Sequence, residues 1–118
     1  MHAAIKKQQL RHIIKYTMEQ LRIYTLADKE TAEHYFKEHW SRHRINLPKF
    51  GFLVKGVWIG NTPGVANQVI ALVSFPDGAD VEGMTERYMK SPEFADDTAG
   101  FDRNKITNVE TKMLRSEN

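Results

Sequence analysis

Apolar and polar positions alternate along residues 20–26, with Leu21, Ile23 and Thr25 on one side and Arg22, Tyr24 and Leu26 on the other. A two-residue period in β-branched and aromatic residues predicts a strand. Ala27-Asp28-Lys29 breaks it. Asp28 suits a helix N-cap, and Glu30 the positive end of the helix dipole. Ala32, Tyr35, Phe36, His39, Trp40, His43 and Leu47 then recur at three- and four-residue spacing. This is one stripe of an amphipathic helix, which Pro48 is expected to end. Residues 52–59 predict a second strand, with Gly56 marking a bulge or a close approach. A turn-rich run, Gly60-Asn61-Thr62-Pro63-Gly64, leads into a third strand over 67–75 whose centre is apolar throughout. Asp80 is placed to cap a helix carrying Val81, Met84 and Tyr88, and Ser91-Pro92-Glu93 to open another. Phe94 and Phe101 lie a helical seven apart, and a last strand is expected over about 105–114.

The order is β-α-β-β-α-β, so the expected fold class is α+β: a ferredoxin-like domain with a four-stranded antiparallel sheet and two helical segments on one face. The alternation in the second strand puts Phe52, Val54 and Trp58 on one face and Leu53, Val57 and Ile59 on the other. A sheet apolar on both sides asks for a layer on each side, and the chain has no sequence left to supply the second. A homodimer joined through the sheet face, with the chain itself as partner, is the expected solution.

At 118 residues the chain suits one domain, and 41% hydrophobic and 27% charged residues are ordinary globular values. Charge changes the picture locally. Residues 1–17 hold Lys6, Lys7, Arg11 and Lys15 and no acid, whereas the whole chain carries only +2, so the body from Met18 onward is acidic. Residues 1–17 thus read as a basic extension, either a short helix with Ile5, Ile13 and Ile14 on one side or a segment upstream of a natural start at Met18, and 18–118 as a single domain. A basic arm on an acidic body is the reverse of the usual nucleic-acid binder. The run Lys49-Phe50-Gly51-Phe52-Leu53-Val54 superficially matches an RNA-binding strand, but it enters the second strand rather than the third, and no nucleic-acid partner is expected. No apolar run is long enough for a membrane span. The chain has no cysteine, which removes disulfides and thiolate chemistry and suits a cytoplasmic location.

His39 and His43 stand one helical turn apart and are the candidate catalytic residues, as acid, base or hydrogen-bond donor in a cavity between helix and sheet. They fail the HExxH pattern because residue 40 is Trp, and no third ligand is spaced for a metal, so no metal and no cofactor is expected. Arg22, Tyr24, Trp58 and Tyr88 are the candidate substrate-binding residues. Arg22, if it faces inward, needs an anion or a carboxylate partner, for which Glu110 is available.

Leu21-Arg22-Ile23-Tyr24-Thr25-Leu26, Asn67-Gln68-Val69 and Ser91-Pro92-Glu93-Phe94 are similar, in that order, to the first strand, third-strand start and late helix of the NIPSNAP family. The resemblance covers about 18–114. It implies a dimeric α/β barrel made of two ferredoxin-like sheets, among relatives that include cofactor-free monooxygenases. This sequence departs from the family pattern after the second strand, where Asn61-Thr62-Pro63 replaces an acid, and near the end of the third, where Leu72-Val73-Ser74 precedes a single aromatic, Phe75. Two functions follow as expectations. One is a protein that binds or transforms a small, largely apolar molecule in an intrasubunit pocket, monooxygenase- or isomerase-like. The other is a non-catalytic homodimeric interaction protein. The residues leave open whether it is an enzyme.

Overall fold

The alternating segments resolve into one antiparallel sheet in the computed structural model, which describes residues 15–117. Its strands are β1 (Met18–Leu26), β2 (Leu53–Ile59), β3 (Gln68–Phe75) and β4 (Ile106–Arg115), in spatial order β2-β3-β1-β4. Every neighbouring pair is antiparallel. Between β1 and β2 lie α1 (Lys29–His34), a π-helical turn (Tyr35–His39) and α2 (Trp40–Asn46). Between β3 and β4 lie α3 (Val81–Met89) and α4 (Pro92–Asp97). This is the ferredoxin-like α+β fold. Of the basic extension, residues 1–14, including Lys6, Lys7, Arg11 and the three isoleucines, lie outside the described residues.

The helices start where polar caps meet the first orphan N–H groups. Asp28 accepts from Thr31 N–H at 2.7 Å and Asp80 from Gly83 N–H at 3.1 Å. Ser91 Oγ accepts from Phe94 N–H at 3.2 Å and donates to the Tyr88 carbonyl at 2.6 Å, so one hydroxyl ends α3 and begins α4. The long helix ends ahead of Pro48, as expected: α2 stops at Asn46, and Pro48 sits early in a 3-10 turn (Leu47–Phe50), where its missing N–H is not needed. Gly51, at φ +93°, then turns the chain into β2. Phe101 does not share a helix with Phe94, because α4 ends at Asp97. It returns from the loop onto the Tyr35 and His39 rings, with centroids 5.1 and 4.8 Å away.

The core lies between helices and sheet: Leu26, Val69, Ala71, Val73 and Phe75 from the strands meet Ala32, Tyr35, Trp40, Leu47, Met84 and Tyr88 from the helical layer. A bulge between Val54 and Gly56 changes the parity of β2. Val54, Val57 and Ile59 therefore face the helices, and Leu53, Gly56 and Trp58 face away. This corrects the grouping expected from strict alternation. The free face also carries Leu21, Ile23, Ile70, Leu72 and Leu114. No helix among the described residues is long and apolar enough to cross a membrane.

The shared cap gives a direct test. Ser91→Ala should lower the unfolding free energy by about 1 kcal/mol in urea titrations, whereas Ser91→Asp, which keeps an acceptor, should stay near wild type. Equal midpoints for Ser91→Ala and wild type would show that the cap contributes nothing.

Candidate functional site

Asp97 ends α4 with its side chain only 1% exposed, pointing into the helical layer. A carboxylate taken out of water needs donors on both oxygens. Asn46 Nδ2 donates to Oδ1 at 2.7 Å, and the Tyr88 hydroxyl to Oδ2 at 2.5 Å. His43 Nδ1 meets the Tyr88 oxygen and lies 3.4 Å from Asp97 Oδ2. With Nδ1–H donating to Tyr88 and Tyr88 O–H donating to Asp97, all three groups are satisfied in a single tautomer. The same peptide holds His39, whose Nδ1 donates to the Asp97 carbonyl at 2.8 Å.

His43 and Tyr88 form part of the wall of a cleft of about 750 Å³ between the helical layer and the sheet. Gln20, Arg22, Tyr24 and Thr111 line its sheet side, with Val109 next to them. Tyr35, Trp40, Leu47 and Phe94 make its helical wall, and Glu86, Lys90 and Arg103 stand around it as charged groups. The lining is mainly apolar and aromatic, with a few convergent polar groups, as in small-molecule sites. Tyr24 meets Tyr35 and Trp40 edge to face, at centroid distances of 5.4 and 5.9 Å, which holds this wall rigid. Nε2 of His43 has no hydrogen-bond partner among the described residues, and His43 lines the cleft.

The structure therefore brings together Arg22, Tyr24, His43 and Tyr88 of the residues singled out in the sequence. His39 and Trp58 do not join them. The turn at 35–39 is π-helical, with Trp40 N–H bonding back to the Tyr35 carbonyl. The wider turn leaves Trp40 and His43 facing the sheet and carries His39 sideways, under Phe101 and beside His34. Trp58 is 52% exposed on the opposite face of the sheet, over Gly56, because the bulge inverts its side. Glu110 is no partner for Arg22 either: it pairs with Ile23, on the other face. Asp97 and Asn46 were missed by sequence reasoning. The only signal available was a pair of acids, Asp96-Asp97, at a helix end where the dipole disfavours them.

His34, Glu38 and His39 bring three potential metal-ligand atoms within 4.8 Å of one another. The two Nε2 atoms stand 3.2 Å apart, an ordinary N–H···N hydrogen bond, and Glu38 lies 3.5 Å from His34 Nδ1. The cluster satisfies itself and lies away from the cleft.

Burial sets the protonation states. It pulls His43 from the ordinary 6.5 down to about 4, although the Asp97 carboxylate pulls the other way, and the nearby Arg22 charge adds slightly to the drop. Burial lowers His39 too. Tyr88 is pushed far above the usual phenol range by burial, then by its bond to Asp97 and that group's charge, so it remains a donor. At neutral pH His43 is thus an uncharged imidazole with one nitrogen held and the other free to accept a proton.

The sequence model of the NIPSNAP family matches residues 18–117, and the chain belongs to that family. No curated protein matches it. Among solved structures it is similar to an uncharacterized NIPSNAP-like domain protein from Burkholderia xenovorans, with 21% identity and a TM-score of 0.63 over 86% of this chain and 85% of that one. A NIPSNAP family protein of unknown function from Agrobacterium tumefaciens shows 17% identity and a TM-score of 0.60, over 86% and 88%. A protein provisionally named an antibiotic biosynthesis monooxygenase, from Caulobacter crescentus, shows 11% and 0.54, over 93% and 99%. At these identities the likeness is one of fold.

The lowered His43 pKa has a stability consequence. Between pH 6.5 and about 4 the unfolded chain binds a proton at this residue that the folded chain does not, so stability falls as pH falls through that window. His39 acts in the same direction. The unfolding free energy should drop by about 2 kcal/mol from pH 7 to pH 5 on account of His43. His43→Gln should flatten that slope, and an unchanged slope would contradict the assignment.

Proposed function

We propose that this NIPSNAP domain binds a small, largely apolar molecule in the cleft and moves a proton on it, using side chains of its own. The observation that carries the reading is the Asp97–Tyr88–His43 chain: a base oriented by a second group, itself oriented by a third, opening on an apolar cavity. A group placed in this way has the geometry expected of a general base. Isomerisation begins with removal of an acidic C–H proton. So does oxygenation by O2 without a cofactor, and the Caulobacter neighbour is named a monooxygenase.

The free sheet face supports the second half of the proposal, that the protein works as a homodimer. Leu53, Trp58 and Leu114 are 41%, 52% and 45% exposed there, around Leu21, Ile23, Ile70 and Leu72. These apolar side chains, set beside Glu19, Glu110 and Lys112, are costly to leave in water. Pairing two such faces produces a barrel with both helical layers outside and one cleft in each subunit.

Two measurements test these readings. Proton–deuterium exchange at the acidic C–H of small apolar 1,3-dicarbonyl compounds, followed by NMR, should run faster with the protein than in buffer. His43→Gln should cost about 10²-fold of that acceleration. Binding of the compounds with no exchange in the wild-type protein would favour the non-catalytic alternative. In sedimentation experiments the wild type should be a dimer, and Trp58→Glu a folded monomer or a far weaker dimer, since the residue is exposed and its replacement leaves the core intact. A wild-type monomer at micromolar concentration would remove the barrel.

A further inference from the structure

We infer that the molecule bound in the cleft is an acid, and that Arg22 holds its carboxylate. The inference rests on the cleft reading above and names the class of ligand. Arg22 occupies a central strand, between Ala71 on β3 and Thr111 on β4. It is 9% exposed, on the face that lines the cleft. A guanidinium cannot shed its charge by deprotonation, so burying one without a counter-anion is costly. No carboxylate among the described residues ion-pairs with it: the ion pairs join His34 with Glu38, Lys37 with Glu33, His43 with Asp97 and Lys90 with Glu86.

What Arg22 does have are neutral supports. Its Nε donates to Gln20 Oε1 at 2.6 Å, and its carbon centre lies 5.6 Å from the Phe52 ring centroid. These contacts fix the plane of the guanidinium and leave both terminal nitrogens without a partner among the described residues. Two parallel N–H groups in a mainly apolar cleft match the two oxygens of a carboxylate. Ala71 and Thr111 beside it are small, which keeps the approach open. The rest of the lining, Tyr24, Trp40, Leu47 and Phe94, suits a hydrocarbon or aromatic body. The acidic groups near the cleft, Glu82 and Glu86, lie on α3 and pair with Lys90 or with none, so they do not neutralise Arg22.

The test uses the full chain, with straight-chain and phenyl-substituted carboxylic acids and the methyl ester of each as probes. Binding is followed by calorimetry and by the fluorescence of Trp40, which borders the cleft. Wild type should bind the acids at least 10-fold more tightly than their esters. Arg22→Met should lose that preference while keeping ester affinity, and Arg22→Lys, which keeps charge but not the fork, should retain part of it. Retained ester binding also shows that the variants are folded. If esters bind wild type as well as acids do, the carboxylate inference fails and the cleft reading stands. If neither acids nor esters bind, both fall.

Discussion

A single buried carboxylate organises the helical layer. Asp97 draws Asn46 and His43 from α2 and Tyr88 from α3 onto α4, while its carbonyl receives His39. None of these contacts is worth much by itself in net stability, since each replaces a bond to water. Their joint effect is geometric. With the charge out of water, any arrangement that leaves one oxygen unpaired is strongly disfavoured, so three helices are held in one relative placement. That placement sets the wall of the cleft and fixes the orientation of the His43 ring.

The sheet contributes the opposite element, a charge with no carboxylate partner among the described residues. Arg22 stands on the strand flanked on both sides, where the backbone is most constrained, and is steadied by Gln20 and Phe52. The cleft thus has a neutral proton acceptor on one wall and an unneutralised cation on the other. Such separation of roles is achieved by environment: burial keeps His43 uncharged, and the Arg22 charge favours the same outcome. The two faces of the sheet are equally distinct. One meets the helices and carries the cleft, and the other sets Leu21, Ile23, Ile70 and Leu72 beside Glu19, Glu110 and Lys112.

Much of the fold was legible in the chain. The β1 alternation gave the strand and put Arg22 and Tyr24 on one common side, because a strand's period is two and nothing in β1 before Thr25 disturbs its register. The caps at Asp28, Asp80 and Ser91 were readable because capping is local: a short polar side chain satisfies an N–H three residues on. The site was legible only in part. His43, Tyr88, Arg22 and Tyr24 were singled out as chemistry-bearing residues, and the structure puts all four on the cleft. His39 was grouped with His43 because the reading assumed a regular α-helix, and Trp58 was placed with Val54 because it assumed an unbroken strand. The bulge inserts one residue into a period of two, so every β2 residue after it changes side, and the π-turn turns His39 away from the line of Trp40 and His43.

The sequence by itself determined the element order, the caps, the apolar character of both sheet faces and membership of a βαββαβ fold, all of which follow from interactions within a few residues. Tertiary structure alone decided that Asp97 joins His43 and Tyr88, residues 54 and nine positions away in the chain, and that Arg22 meets no carboxylate among the described residues. The reason is that a buried charge is resolved by whatever the packing brings within about 3 Å of it. That distance depends on how helices sit on a sheet, which no local period encodes.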